Sequence, residues 1–202
     1  MSQSDQSPEP MLQFTTIASG NSSLYKFLAV PLAGELEDIL PKEGFVDLNK
    51  KRGEELNFHG RPTANFTVVD ATIGVLLFVA SGFASNTITD VYKAKVKPTV
   101  DRILNSSDEK LNQPNHPKAY EAGFWYGEEK VIIYIAIIEK SFSEIVKYHF
   151  MIPDIHQNAI KWIQNNGRGK FVHLYKVENG NVNLVPLLFD SLAEAKARGI
   201  GK

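Results

Sequence analysis

The side chains best suited to chemistry are His149, His156 and His173, with Arg168 and Lys170 between the last two. An imidazole changes charge near neutral pH, so it can hold a metal or move a proton. No two of the five histidines stand four residues apart, the spacing that lets one helix offer both rings to one metal. His149 and His156 are separated by Pro153 and an expected strand end, an arrangement that lets them approach, with His173 joining from a later strand. Gly167-Arg168-Gly169-Lys170 places two cations in a glycine-containing loop whose amides could hold a phosphate. Phosphate cradles, however, precede a helix and use its positive end. This loop follows one. His149, His156, His173, Arg168 and Lys170 therefore form the candidate ligand-binding set. Hydrogen-bonded histidines and a helix-ending turn are the competing expectation for each.

No reaction-specific pattern accompanies them, and no catalytic residue, metal or cofactor is assigned. Glu35, Glu37 and Asp38, and Glu128 with Glu129, lie beside turns or on polar faces where charge is simply solvated. Glu139-Lys140 lacks the intervening residue that would put both side chains on one strand face. No Gly-x-Ser-x-Gly elbow or Walker loop occurs. Phe124, Trp125 and Tyr126, with Tyr134 and Tyr148, read as sheet core before they read as a base-stacking platform.

Composition narrows the classes further. Twenty-two basic residues balance 23 acidic ones, for a net charge of -1. Phosphate-gripping proteins normally carry a basic surplus, so no nucleic-acid partner is expected. The chain has no cysteine, which excludes disulfides, thiolate metal sites and thiol nucleophiles and fits a reducing, cytoplasmic setting. Residues 1–10 are polar and lack the apolar stretch of a secretory signal.

The elements that must position these residues read as α+β. Residues 1–13 are expected to be a disordered tail, and 14–202 a single domain. Its parts would be a helical stretch to 104, a linker over 105–118 and a sheet-forming remainder from 119. Asn21 caps a helix carrying Leu24, Phe27, Leu28, Leu32, Leu36 and Ile39, which Pro31 should kink or split. Residues 45–62 read as a solvated connection. Between Asp70 and Asp90 lie 19 uncharged residues, 71–89. Small residues there, Gly74, Ala80, Ser81, Gly82, Ala84 and Ser85, suggest a tightly packed helix. The segment is nearly long enough to cross a bilayer, but its polar second half argues for a buried core helix. Pro98 should bend the helix that continues beyond it.

From residue 122 the period becomes extended. Strands are expected at 124–126, 131–138 and 143–152, and the second should be central and covered on both faces. Asp154 is expected to cap a helix that Gly167 ends. A strand at 171–177 then turns at Asn179-Gly180 into an edge strand over 182–188 marked by Pro186. Ser191 and Glu194 form a capping box for the last helix. The resulting expectation is a helix-rich N-terminal half packed with a mainly antiparallel sheet of about five strands, ordered β-β-β-α-β-β-α.

Three function classes follow. The favoured one is a non-enzymatic protein-interaction module, for instance a bacterial toxin-neutralising (immunity-like) protein, which implies a protein partner. The second is a membrane-associated protein anchored by the 71–89 helix. The third is an enzyme or nucleotide-binding protein with its site near His149, His156 and His173.

Overall fold

The computed structural model describes residues 12–48, 71–80, 82–83, 87–106 and 117–200. The expected tail up to residue 11, most of the 45–62 connection and the middle of the 105–118 linker lie outside them, as do His59, His116, Ser81, Ala84 and Ser85. Among the described residues eight strands form one mixed sheet: β1 (Leu12–Ser19), β2 (Phe45–Asp47), β3 (Ala71–Val79), β4 (Lys118–Tyr126), β5 (Val131–Glu139), β6 (Val172–Glu178), β7 (Asn181–Val182) and β8 (Leu187–Phe189). Their order is β2-β1-β3-β4-β5-β6-β7, with β8 also on β6. Among the described residues five helical segments accompany them: α1 (22–39), α2 (87–105), α3 (Phe142–His149), α4 (Ile152–Asn166) and α5 (192–200).

The expected five-stranded, mainly antiparallel sheet is thus corrected. Three neighbouring pairs are parallel, β1/β2, β3/β4 and β5/β6. Each is joined through helix, as parallel strands require. The remaining pairs, β1/β3, β4/β5, β6/β7 and β6/β8, are antiparallel. The N-terminal half is not helix-rich either, because it supplies β1, β2 and β3.

The largest correction concerns 71–89. Residues 71–79 form a strand, paired with β4 over its whole length and with β1 from Thr72 to Val79. Thr72, Ile73, Val75 and Val79 are β-branched and favour the pleated state. Gly74 serves a neighbouring strand rather than a helix. A Cβ there would overlap the Glu121 carbonyl oxygen and lie 2.9 Å from the Glu121 Cβ. No helix among the described residues is long and apolar enough to cross a membrane, so the anchoring helix of the second function class is absent from 71–79.

The expected strand at 143–152 is a helix, α3. Its Ser141 hydroxyl accepts from the Glu144 amide at 3.1 Å, an N-cap that outweighs the alternation of Val146, Tyr148 and Phe150. Phe142, Ile145 and His149 then form its buried face. The expected edge strand over 182–188 is broken into β7 and β8, with Pro186 in the gap. Other readings match the fold. Asn21 caps α1 through its side chain, and Ser191 caps α5. Asn179 and Gly180 take positive φ at the β6–β7 hairpin. Pro31 and Pro98 each sit in the first turn of an α-helix that follows a π-helical turn, Tyr25–Ala29 and Tyr92–Val96. Widening the turn accommodates a residue that has no N–H to give the ladder.

One face of the sheet packs against α1, α2, α3 and α4. There Phe14, Val75, Leu77, Phe124, Ile133 and Ile135 meet Leu28, Leu36, Val96, Val100, Ile145 and Ile155. Among the described residues the other face carries only α5, over Tyr134, Ala136, Val172 and Leu174. Beyond α5 that second face keeps Leu76, Phe78, Trp125 and Ile132 only partly covered.

Candidate functional site

α2, α3 and β4 bring together a buried chain of titratable groups. α2 supplies Tyr92, Lys97 and Asp101, α3 supplies His149 from its last turn, and β4 supplies Tyr120. His149 lies wholly inside the protein. Its Nδ1 is 2.6 Å from Asp101 Oδ1, and its Nε2 is 2.6 Å from the Tyr92 hydroxyl. The Tyr92 and Tyr120 hydroxyls are 3.0 Å apart. Lys97 Nζ stands 2.5 Å from Asp101 Oδ2 and closes the outer end, where both side chains reach solvent.

The electrostatics orient this chain. Partial burial works against the Asp101 carboxylate, yet hydrogen bonds from His149 and Lys97 hold its pKa below the usual value. Burial pushes the His149 pKa down, with Asp101 opposing in part. Burial, reinforced by the neighbouring Tyr120, raises the Tyr92 hydroxyl well above the ordinary range, and burial raises Tyr120 as well. The resting state is therefore an ionised Asp101, a neutral imidazole and two neutral phenols. The Tyr92 hydroxyl donates to the Tyr120 hydroxyl, while the roles at the Tyr92–His149 contact follow the imidazole tautomer.

His156 occupies a second, separate network. From α4 its Nδ1 meets the Thr89 hydroxyl and its Nε2 meets the Tyr126 hydroxyl, each at 2.9 Å. Burial drives its pKa down to about 3. His173, on β6, pairs Nε2 with the Arg168 carbonyl oxygen at 2.5 Å and lies edge-on to Trp162. Its Nδ1 is buried without a hydrogen bond. Burial lowers this pKa too. No hydrogen bond or ring contact joins any two of these three histidines among the described residues.

Known proteins add nothing to this geometry. The chain matches no family model, no curated protein and no solved structure.

Arg168 touches His173 only through its backbone, and its guanidinium reaches the Lys130 carbonyl oxygen at 3.4 Å on the surface. Lys170 is ion-paired with Asp190 at 2.8 Å. Gly167 and Gly169 have positive φ, so the loop bends as a helix-ending turn does. The candidate set is thus dispersed over α3, α4, β6 and one exposed loop.

Sequence reasoning missed Tyr92, Asp101, Tyr120, Thr89 and Tyr126, the partners that employ the histidines. The one local signal was Lys97 four residues before Asp101 on a helix. A third polar group was missed on the opposite face. Glu121 is buried there beneath α5, hydrogen-bonded by the Tyr134 hydroxyl and paired with Lys196 at 3.0 Å.

What reaches solvent is different in character. Leu184, Val185 and Leu187 are 48%, 60% and 48% exposed, within four residues of one another around the β7–β8 break. Beside them an open groove of about 580 Å³ is lined by Leu174, Lys176, Asn181, Val182, Val185 and Leu187, among others.

Proposed function

We propose that this protein is a protein-interaction module that works by binding an extended apolar segment of a partner along its β7–β8 edge. The observation that carries the reading is the exposure of Leu184, Val185 and Leu187 beside the groove at the end of the sheet. Contiguous exposed apolar side chains mark contact surfaces more often than isolated ones do. β7 ends the sheet order, so an extended peptide can add along this rim while its side chains enter the groove. The three buried histidines support binding over catalysis, because each already holds internal partners below the surface.

The test is the double variant Leu184→Asp, Val185→Asp. Both positions are exposed, so circular dichroism and the urea midpoint should match the parent. Affinity purification from the native cells should recover a stoichiometric protein with the parent and not with the variant. Equal recovery by both proteins, or recovery by neither, overturns the reading. In its toxin-neutralising form, the reading adds that co-expression of this chain suppresses the partner's toxicity.

A further inference from the structure

We propose that Asn179 is a site of spontaneous deamidation, in which the Gly180 nitrogen attacks the Asn179 side chain and the Glu139 carboxylate takes up the displaced proton. The chain contains two Asn-Gly steps, Asn166-Gly167 and Asn179-Gly180. A glycine after asparagine has no side chain to crowd the attacking nitrogen, so both steps are open to cyclisation in an unfolded chain. Both asparagines are exposed, so solvent access does not separate them. Their hydrogen bonds do. At the end of α4 the Asn166 side chain donates to the Trp162 carbonyl oxygen at 2.8 Å, and the Gly167 N–H donates to the Ile163 carbonyl oxygen at 2.8 Å. The attacked group and the attacking atom are each committed elsewhere. The Asn179 side chain has no hydrogen-bond partner among the described residues. The Gly180 N–H donates to Glu139 Oε1 at 3.3 Å. Glu139 is 8% exposed, at the end of β5. Burial, with Glu144 and Glu178 nearby, holds its pKa above the usual carboxylate value, which strengthens it as a base.

Asn179 and Gly180 both take positive φ, as a two-residue hairpin turn requires. Only the pairs Val177–Val182 and Glu178–Asn181 close that hairpin, and β7 ends the sheet order. The tip therefore opens locally without disturbing the rest of the sheet, and Asn179 can turn its side chain onto the Gly180 nitrogen. Water is the only other reactant. The Gly180 nitrogen gives its proton to Glu139 and bonds to Asn179 Cγ. The side-chain nitrogen leaves as ammonia, carrying that proton away, and a succinimide ring remains. Water opens the ring at either carbonyl and leaves isoaspartate or aspartate at position 179. Each product sets a new carboxylate near Glu139 and Glu178. Isoaspartate also lengthens the backbone of a turn whose length fixes the register of β7. Asn179 lines the β7–β8 groove, so the reaction is an irreversible switch on that edge. This consequence rests on the binding reading above, whereas the reaction does not.

Ageing the full chain in warm, mildly alkaline buffer, natively and in urea, tests the reaction. Trypsin separates the two steps, since Asn166 falls in fragment 162–168 and Asn179 in fragment 177–196. Mass spectrometry with isoaspartate methyltransferase labelling reads each asparagine. In the native protein Asn179 should convert at least about tenfold faster than Asn166, because two hydrogen bonds guard the latter. In urea the two rates should converge. Equal native rates, or a native Asn179 that stays intact while urea converts it, overturns the proposal. Glu139→Gln keeps an acceptor for the Gly180 N–H but removes the base. It should slow Asn179 several-fold in the native protein and leave the rate in urea unchanged. An unchanged native rate refutes the role of Glu139. Burial disfavours a charge at 139, so this variant should fold at least as stably as the parent, and the native-to-urea comparison on the parent stands whatever it does. Deamidated protein, isolated by ion exchange, should recover less partner than fresh protein. Equal recovery by the two overturns the switch, while recovery by neither overturns the binding reading and leaves the reaction standing.

Discussion

Lowering the pH should destabilise this protein through His156 by an amount that the structure allows to be worked out. The imidazole is buried between α4 and the sheet, held by Thr89 and Tyr126, and its pKa falls from 6.5 to about 3. The unfolded chain binds a proton below about pH 6.5 and the folded chain does not. Stability from this group is complete above pH 6.5 and is lost as pH falls towards 3. Each pH unit in that window costs about 1.4 kcal/mol. Going from 6.5 to 4.5 therefore removes roughly 3 kcal/mol, a large share of a typical net stability of about 5–15 kcal/mol. The perturbation is His156→Gln, whose amide can both donate and accept but does not titrate. Urea unfolding at pH 7 and pH 4.5 measures both proteins. The parent should lose roughly 3 kcal/mol more than the variant on acidification, a midpoint difference on the order of 1 M. Equal losses would refute the reasoning, since they would mean that His156 titrates alike in both states. Should the variant not fold, the parent's own imidazole titration decides the matter: the His156 signals must stay neutral down to pH 4.5.

Other perturbations follow from packing. Gly74→Ala pushes a methyl group into the Glu121 backbone across the β3–β4 ladder, and should cost about 1–3 kcal/mol in thermal or urea unfolding. Ile135→Ala, at a fully buried position on β5, should cost about 2–5 kcal/mol. Ser191→Ala removes the hydroxyl that accepts from the Glu194 amide at 3.1 Å and should lower stability by about 1 kcal/mol. Exchange should locate that loss in α5. By contrast Glu35→Gln, which breaks an exposed bidentate pair with Arg102, should leave the urea midpoint unchanged within error.

Elements set by local chemistry were legible. The Asn21 cap, the Asn179-Gly180 hairpin, the strand expected at 131–138 and the Ser191 cap each depend on neighbours within a few residues. β1 was missed because Leu12–Ser19 carries too little alternation to stand out beside a polar tail. α3 was misread because Val146, Tyr148 and Phe150 alternate by chance, while Ser141 and Glu144 already formed its cap. β3 was misread because small residues four apart suit a helix, and nothing nearby announces that Gly74 faces Glu121, 47 positions on.

Composition and local pattern alone determined an α+β, cysteine-free chain of balanced charge, with the Asn21 and Ser191 caps, the Asn179-Gly180 turn and the most apolar strand in place, whereas the expected Asp154 cap lies inside the first turn of α4, whose N-cap is Met151. Only the tertiary structure decided strand order, and with it which polar groups meet. Tyr92, Asp101, Tyr120 and His149 come from three elements, and the parallel β3–α2–β4 crossover is what sets α2 above β4. The physical reason is that a hydrogen bond between side chains 48 residues apart leaves no trace in the periodicity of either segment. It exists because burial of apolar faces on both sides forces those polar groups into one dry space, where each must find a partner.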